Sequence, residues 1–164
     1  MSVNPTPQPP TVPTSPLQTI PGTIVPGHQV ASGQGGDPRF PGGTLAWQEP
    51  VFRSLGLDLA AYHRGTLNLA IAPWRYQVQD PLHCFRSVRW HPTAPPEDFS
   101  FFDCRLLIQG QGMAGLVYYP HPDTKPEHFQ AADVLEILCP YVAGVRYGMT
   151  VDLVIDRRRI QFQR

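Results

Sequence analysis

Two side chains with neutral oxygen atoms are separated by one residue in the segment HRGTLNLAI, residues 63–71. A strand has a side-chain period of two, so Leu67, Leu69 and Ile71 are predicted to share one face and Thr66 and Asn68 the other. Mg2+ prefers oxygen ligands and keeps several waters, so two neutral protein oxygens suffice where nucleotide phosphates supply the charge. The pair therefore indicates half of a metal–phosphate site. The alternative is a Thr and an Asn that hydrogen-bond to neighbouring backbone at the start of a strand.

A glycine cluster precedes this strand at Gly33, Gly35 and Gly36. Without a Cβ, glycine lets backbone amides approach a phosphate closely, and it adopts positive φ at little cost. The cluster matches neither the phosphate-binding loop of nucleoside triphosphatases nor the dinucleotide-binding fingerprint. It is therefore either a phosphate-binding loop of another kind or a plain flexible loop.

A carboxylate interrupts the aliphatic segment VLEIL, residues 134–138. Glu136 is predicted to share a strand face with Val134 and Leu138, while Leu135 and Ile137 point the other way. Burying an unpaired carboxylate between aliphatic side chains is costly. Glu136 therefore either lies in water at the edge of the fold or accepts hydrogen bonds from a ligand.

Other common chemistries have no motif here. The chain has 6 histidines, but none occurs in a His-x-x-x-His or His-Glu-x-x-His pattern, so a zinc site is not expected. No Gly-x-Ser-x-Gly segment marks a serine nucleophile. Cys84, Cys104 and Cys139 are widely spaced and odd in number, which favours reduced thiols in a cytoplasmic protein.

Length and charge limit the function further. The chain has 164 residues, of which 41% are hydrophobic, and this is enough apolar content for one domain with a core. Its formal net charge is +0. Zero net charge argues against general binding to nucleic acid or to anionic membranes. The sequence has no run of about 18 apolar residues, so no membrane span is predicted, and the N-terminus shows no secretory signal. We expect a cytoplasmic, single-domain protein with no nucleic-acid or membrane partner.

Three regions are predicted along the chain: a Pro-rich disordered tail at residues 1–27, a folded domain at 28–156 and a basic C-terminal extension at 157–164. Proline removes an amide donor and fixes φ, which disfavours a helix or a central strand in the tail. The tail is either a solubilising leader or a docking peptide for a proline-recognising partner. The tail prolines are Pro5, Pro7, Pro9, Pro10, Pro13, Pro16, Pro21 and Pro26.

Many short strands and one clear helix predict a mainly β fold, a small β-barrel. The helix is expected to begin with Thr44 as N-cap and to end near Gly56. Pro50 could only lie early in that helix, because proline is tolerated in the first turn, so the sequence leaves the start of the helix open. Strands are predicted at residues 28–32, 66–72, 83–90, 99–109, 113–119, 134–138 and 151–155.

The order of these features resembles the archaeal CTP-dependent riboflavin kinases. The resemblance runs from about residue 29 to residue 155, and its best-matched parts are GTLNL at 65–69 and DVLEILCP at 133–140, with the glycine cluster upstream. It implies a six-stranded cradle-loop β-barrel that uses Mg2+ to transfer the γ-phosphoryl group of CTP to the 5′-hydroxyl of riboflavin, giving FMN.

The resemblance also assigns roles to residues. Thr66 and Asn68 would coordinate Mg2+, and Glu136 would bind the flavin ring. A second flavin contact would fall on Thr124 or His128, in a loop that is longer here than in the family. The nucleotide would be bound by Gly33, Gln34, Gly35, Gly36, Phe40, Tyr141, Val142, Ala143 and Gly144.

Two functions from different classes follow. The first is a riboflavin kinase that uses Mg2+ and CTP or another nucleoside triphosphate. The second is a non-catalytic module that binds a flavin or nucleotide on the same barrel. Retention of both Thr66 and Asn68 favours the kinase, because a binding module has no need of a metal pair. The Asp-Pro-Arg insertion at residues 37–39, within the nucleotide loop, favours the module.

Overall fold

The computed structural model describes residues 16–28 and 34–164. One α-helix and nine β-strands form in that part of the chain, so a mainly β protein with one helix is confirmed. None of the helical structure described there has the length and apolar character needed to cross a bilayer. The elements are β1 Leu17–Val25, α1 Thr44–Ser54, β2 Leu67–Ala70, β3 Arg75–Val78, β4 His83–Val88, β5 Glu97–Ile108, β6 Gln111–Pro120, β7 Val134–Leu138, β8 Thr150–Asp156 and β9 Ile160–Gln163.

Six strands form a closed antiparallel ring in the order β5-β6-β7-β2-β1-β8, with β8 pairing back onto β5. The long strand β5 closes the ring by changing partners along its length. Its first part pairs with β4, where Phe101 lies opposite His83, and its later part pairs with β8, where Leu106 lies opposite Leu153. Strands β3 and β9 form a separate two-stranded sheet.

The inside of the ring is an aliphatic core to which every ring strand contributes. Alternate residues of each strand point inward, as the period of two requires. Each strand supplies a side chain that is at most 2% exposed: Ile24, Leu69, Leu106, Val117, Ile137 and Leu153.

A second, aromatic core lies outside the ring, where α1 packs over β5. Phe52 of α1 is fully buried and meets Phe99 and Phe101 edge-on at centroid distances of 5.0 and 5.1 Å. Phe40 and Trp90 belong to the same cluster, with centroids 5.2 Å apart. This packing places the start of α1 beside the loop that follows β4.

The predicted helix is present, with two corrections at its ends and centre. Gly43, at φ 91°, is the N-cap residue, and Thr44 is the first helical residue with no side-chain cap. Pro50 lies inside the helix rather than in its first turn. Burial of Leu45 and Phe52 against the aromatic core outweighs the lost amide hydrogen bond.

The boundary of the predicted tail at residue 27 is wrong, because β1 belongs to the ring. It pairs with β8 from Leu17 to Thr23 and with β2 from Thr23 to Val25. Pro21 lies in the part of β1 that pairs only with β8 among the described residues. No hydrogen bond to a second neighbouring strand is therefore lost through its missing amide. Residues 1–15, with most of the tail prolines, lie outside the described residues, as do residues 29–32 of the predicted entry strand.

The predicted basic extension at 157–164 is also corrected. Residues 157–159 form a turn, and β9 returns along β3 with Ile160 fully buried in the ring core. Arg159 reaches Asp80 and Asp103 at 3.0 and 3.1 Å, so these charges tie the turn to the body of the protein.

The other predicted strands are present with shifted ends. The strand at 134–138 has the predicted bounds, whereas β2 is shorter than predicted and leaves Thr66 just before its first residue. Strands β4, β5, β6 and β8 overlap the predicted segments at 83–90, 99–109, 113–119 and 151–155. Strand β3 was not predicted.

Candidate functional site

The polar pair in HRGTLNLAI lies on the outer face of the ring beside the carboxylate of VLEIL. Strands β2 and β7 are antiparallel neighbours in which Asn68 lies directly opposite Glu136. The Thr66 hydroxyl donates a hydrogen bond to Glu136 Oε1 at 3.3 Å. Two segments 70 residues apart in sequence therefore place three oxygen-bearing side chains on one patch.

Asn68 is held from two sides. Its Oδ1 accepts a hydrogen bond from Gln130 Nε2 at 3.0 Å. Gly27 lies against it so closely that a Cβ there would be 2.6 Å from Asn68 Cγ, so no larger residue fits without a shift. These contacts fix the side chain, and Asn68 is only 7% exposed.

Glu136 is a largely buried carboxylate with few donors. Its side chain is 10% exposed, and Lys125 Nζ lies 3.8 Å from Oε2, beyond hydrogen-bonding distance. Burial raises the pKa of the Glu136 carboxyl, while the charge of Lys125 and the hydrogen bonds from Thr66 and Gln130 oppose the shift. A buried acceptor in this state favours a ligand that donates a hydrogen bond.

A first cavity of about 220 Å³ opens over this patch. Its wall includes Thr66, Asn68 and Glu136, and it collects two of the predicted nucleotide residues from the segment after Pro140, Tyr141 and Val142. Gln34 of the glycine loop also lines it. Residues predicted separately for metal, flavin and nucleotide therefore meet around one space.

A second cavity of about 250 Å³ adjoins the first on the side of α1. Phe40, Trp90 and Tyr118 give it aromatic walls. Three nearly buried polar residues also line it: Thr44, Gln48 and Glu97.

Two of these polar residues, Gln48 and Glu97, each accept a hydrogen bond from an aromatic side chain. The Tyr118 hydroxyl donates to Gln48 Oε1 at 2.9 Å, and Trp90 Nε1 donates to Glu97 Oε2 at 2.7 Å. Burial raises the pKa of Glu97, although the Trp90 hydrogen bond opposes the shift. Aromatic walls with a few fixed polar groups are typical of small-molecule sites.

Lys125, His128 and Glu136 line both cavities, and we call these three residues the junction. His128 has a left-handed backbone with φ 59°, which is strained for a residue with a Cβ. Its buried Nε2 has no hydrogen-bond partner in the described part of the chain. The structure thus brings the predicted flavin residues Glu136 and His128 to the point where the two spaces meet.

Several predicted site residues are placed elsewhere. Phe40 lines the second cavity and not the first, because it packs against Trp90. Thr124 lines neither cavity, and its Oγ1 accepts from the Asp98 amide at 2.8 Å. Gly33 lies outside the described residues. The remaining four are exposed and absent from both walls: Gly35, Gly36, Ala143 and Gly144.

Other lining residues were not predicted from the sequence. Lys125 is the one lysine of the chain, and no sequence pattern assigned it a role. No local motif marks the other lining residues, because they come from distant segments that meet only in the folded protein. These residues are His28, His63, Tyr147, Gln48, Trp90 and Glu97.

The residues present fit a Mg2+ ion. Thr66, Asn68 and Glu136 offer hard oxygen atoms on one wall of the first cavity, and Mg2+ needs few protein ligands when phosphates and waters complete its shell. A second group, Asp37, Glu127 and His128, has ligand atoms within 4.8 Å of one another. The Arg39 guanidinium already forms ion pairs with both carboxylates of that group, at 2.7 Å to Asp37, and so neutralises their charge without a metal ion.

No family model matches the chain, and no curated protein matches it. The resemblance to riboflavin kinases therefore rests on the sequence motifs alone.

Proposed function

We propose that this protein is a riboflavin kinase, which transfers the γ-phosphoryl group of a nucleoside triphosphate to the 5′-hydroxyl of riboflavin and produces FMN. The resemblance names CTP as donor and Mg2+ as cofactor. One observation carries the proposal: Thr66, Asn68, Glu136 and Tyr141, singled out from separate segments, line one cavity that continues into a second at Glu136.

The two cavities divide the substrates. The first has the oxygen ligands for Mg2+ and the exposed ring of Tyr141, on which a nucleobase can stack, so it takes the nucleotide. The second has aromatic walls with fixed polar groups, so it takes the isoalloxazine ring. Glu136 borders both and accepts a hydrogen bond from the imide N–H of the flavin.

Phosphoryl transfer depends on positioning and charge neutralisation more than on covalent chemistry by the protein. Bound Mg2+ would neutralise phosphate charge, and Thr66 and Asn68 would hold it. In the reaction the bond between the γ-phosphorus and the β–γ bridging oxygen breaks, and its electron pair leaves with the nucleoside diphosphate. The 5′-oxygen forms the new bond to phosphorus, and the hydroxyl proton passes to solvent.

The proposed fold follows from the same resemblance. The closed ring of six strands corresponds in strand number to a cradle-loop barrel, with β1, β2, β5, β6, β7 and β8 as its staves. The connections before β2 and before β7, which carry Gln34 and Lys125, would act as the cradle.

One observation favours the alternative, a non-catalytic flavin- or nucleotide-binding module. Asn68 Oδ1 accepts from Gln130, and the Thr66 hydroxyl donates to Glu136, so the protein itself already uses both candidate metal ligands. In a kinase, Mg2+ would share Asn68 Oδ1 with Gln130 or displace it, whereas the Thr66 oxygen can bind the ion through a lone pair and still donate to Glu136. In a binding module both hydrogen bonds persist.

The test is a product assay. Purified protein is incubated with riboflavin, Mg2+ and CTP, ATP, GTP or UTP in separate reactions, and FMN is measured by chromatography, with a chelator control for each. We expect FMN with CTP and none when Mg2+ is chelated. No FMN with any donor, together with quenched riboflavin fluorescence, would replace the kinase by the binding module.

A further inference from the structure

The one lysine of the chain lies at the junction of the two cavities. All other Lys/Arg-type charges are arginines, so lysine does not serve as a general surface residue in this protein. The Lys125 side chain is only 14% exposed. Lysines are rarely so buried unless a partner compensates the charge.

The backbone fixes the position of Lys125. Its amide donates to the His121 carbonyl at 3.0 Å, closing a turn after β6. The neighbouring Thr124 hydroxyl accepts from the Asp98 amide, which ties this turn to β5. Thr124 thus supports the turn that presents Lys125.

The ammonium group has only a loose partner. Its distance of 3.8 Å to Glu136 Oε2 exceeds a hydrogen bond. Arg39, the other cationic side chain on the second cavity's wall, is instead bonded to two carboxylates. No arginine among the described residues lines the first cavity. Among the Lys and Arg side chains described, Lys125 alone lines both cavities, and no carboxylate lies within hydrogen-bonding distance of its ammonium group.

We infer that Lys125 binds the terminal phosphate of the Mg2+-bound triphosphate at the junction and moves from Glu136 to that phosphate when the nucleotide binds. Its part in the reaction rests on the proposed function. The ammonium keeps its proton and supplies charge and hydrogen bonds to non-bridging oxygens of the phosphoryl group. It also separates the phosphate from the Glu136 carboxylate, which would otherwise repel it.

The anion site is tested without catalysis, using Mg2+ with inorganic tripolyphosphate as the probe. The native protein is acylated with a trace of an amine-selective reagent, and the label on the peptide carrying Lys125 is measured by mass spectrometry. The α-amino group of the same chain serves as the internal control. We expect at least about tenfold slower labelling of Lys125 with the probe, because each bound ammonium is withdrawn from the reagent, and an unchanged rate at the α-amino group. Equal labelling with and without a saturating probe would overturn the inference.

Variants test the role in the reaction. Lys125→Met should lower kcat/KM for the nucleotide about 100-fold, as loss of one preorganised donor to a developing charge does. Lys125→Arg should recover part of it, because the charge is kept but the geometry is not. Arg53→Met is the matched control, since it removes an exposed paired cation that lines neither cavity, and it should stay within about twofold.

The outcomes separate the two proposals. Labelling protection without FMN formation would end the kinase proposal and keep the anion site. FMN formation with an unchanged rate in Lys125→Met would keep the kinase and end the role of Lys125. Should Lys125→Met not fold by circular dichroism, Lys125→Arg and the labelling of the native protein still decide.

Discussion

The two faces of the β2–β7 pair serve different purposes. On the inner face, Leu69 and Ile137 are at most 2% exposed and belong to the aliphatic core of the ring. On the outer face, Asn68 and Glu136 lie opposite each other and line a cavity. Neighbouring residues of one strand therefore point either into the ring core or toward the cavity, and the period of two decides which.

The largest expected effect comes from the inner face. Ile137→Ala removes buried methyl groups from a fully enclosed position and should lower the free energy of unfolding by about 3 kcal/mol. Urea denaturation followed by circular dichroism measures it. The adjacent outer-face variant Glu136→Gln should stay within about 1 kcal/mol of the wild type. Equal losses for both would mean that the two faces are not separate.

On the outer face, Asn68→Ala should abolish most Mg2+-dependent turnover, by about 100-fold, because it removes a metal ligand and little core volume. Asn68→Asp keeps an oxygen ligand and should recover part of the activity. FMN formation at several Mg2+ concentrations measures both. Wild-type activity in Asn68→Ala would remove Asn68 from the metal site.

A smaller effect is expected for flavin binding. Glu136→Gln weakens an ionic acceptor to a neutral one, and riboflavin affinity should fall about tenfold, as for one charge-assisted hydrogen bond. Titration of riboflavin fluorescence gives the Kd. Leu138→Val, which alters the same outer face without touching the polar set, is the control and should bind riboflavin with wild-type affinity. An unchanged Kd in Glu136→Gln would place the flavin elsewhere.

The smallest effect is a pH dependence. Burial raises the pKa of Glu136 above its ordinary value of 4.5, so the folded state holds the proton where the unfolded state has lost it. The wild type should therefore lose stability relative to Glu136→Gln as pH rises from 4.5 through the raised pKa, and the difference between the two proteins should be constant below that window. Denaturation midpoints of both proteins across about pH 3–8 measure how this difference changes with pH. A change of the opposite sign would show that Lys125, Thr66 and Gln130 together outweigh burial.

Local patterns predicted the parts of the fold that depend on alternation. Strand β7 has its predicted bounds, and Leu135 and Ile137 point inward while Glu136 points outward, because an antiparallel strand with one buried face fixes side-chain direction. Strand β1 was missed because proline content suggested a tail, whereas its pairing with β8 depends on residues more than 100 positions away. Pairing at that distance leaves no local signal.

The site was predicted only where a motif existed. Thr66, Asn68 and Glu136 stand out as polar residues in apolar strands, and the structure brings them together. The second cavity had no such signal, because Gln48 and Trp90 meet only through packing of α1 and the loop after β4. Lys125 could have been found by counting, since a chain with a single lysine invites the question of its use.

The central claim is that the two cavities are halves of one site that meet at Glu136 and Lys125. A crystal structure with riboflavin, Mg2+ and a CTP analogue carrying a methylene β–γ bridge tests it directly. We predict the triphosphate in the first cavity, the flavin ring in the second, and a distance of about 3–3.5 Å between the 5′-oxygen and the γ-phosphorus. Both ligands in one cavity, or reacting atoms held far apart, would contradict the claim.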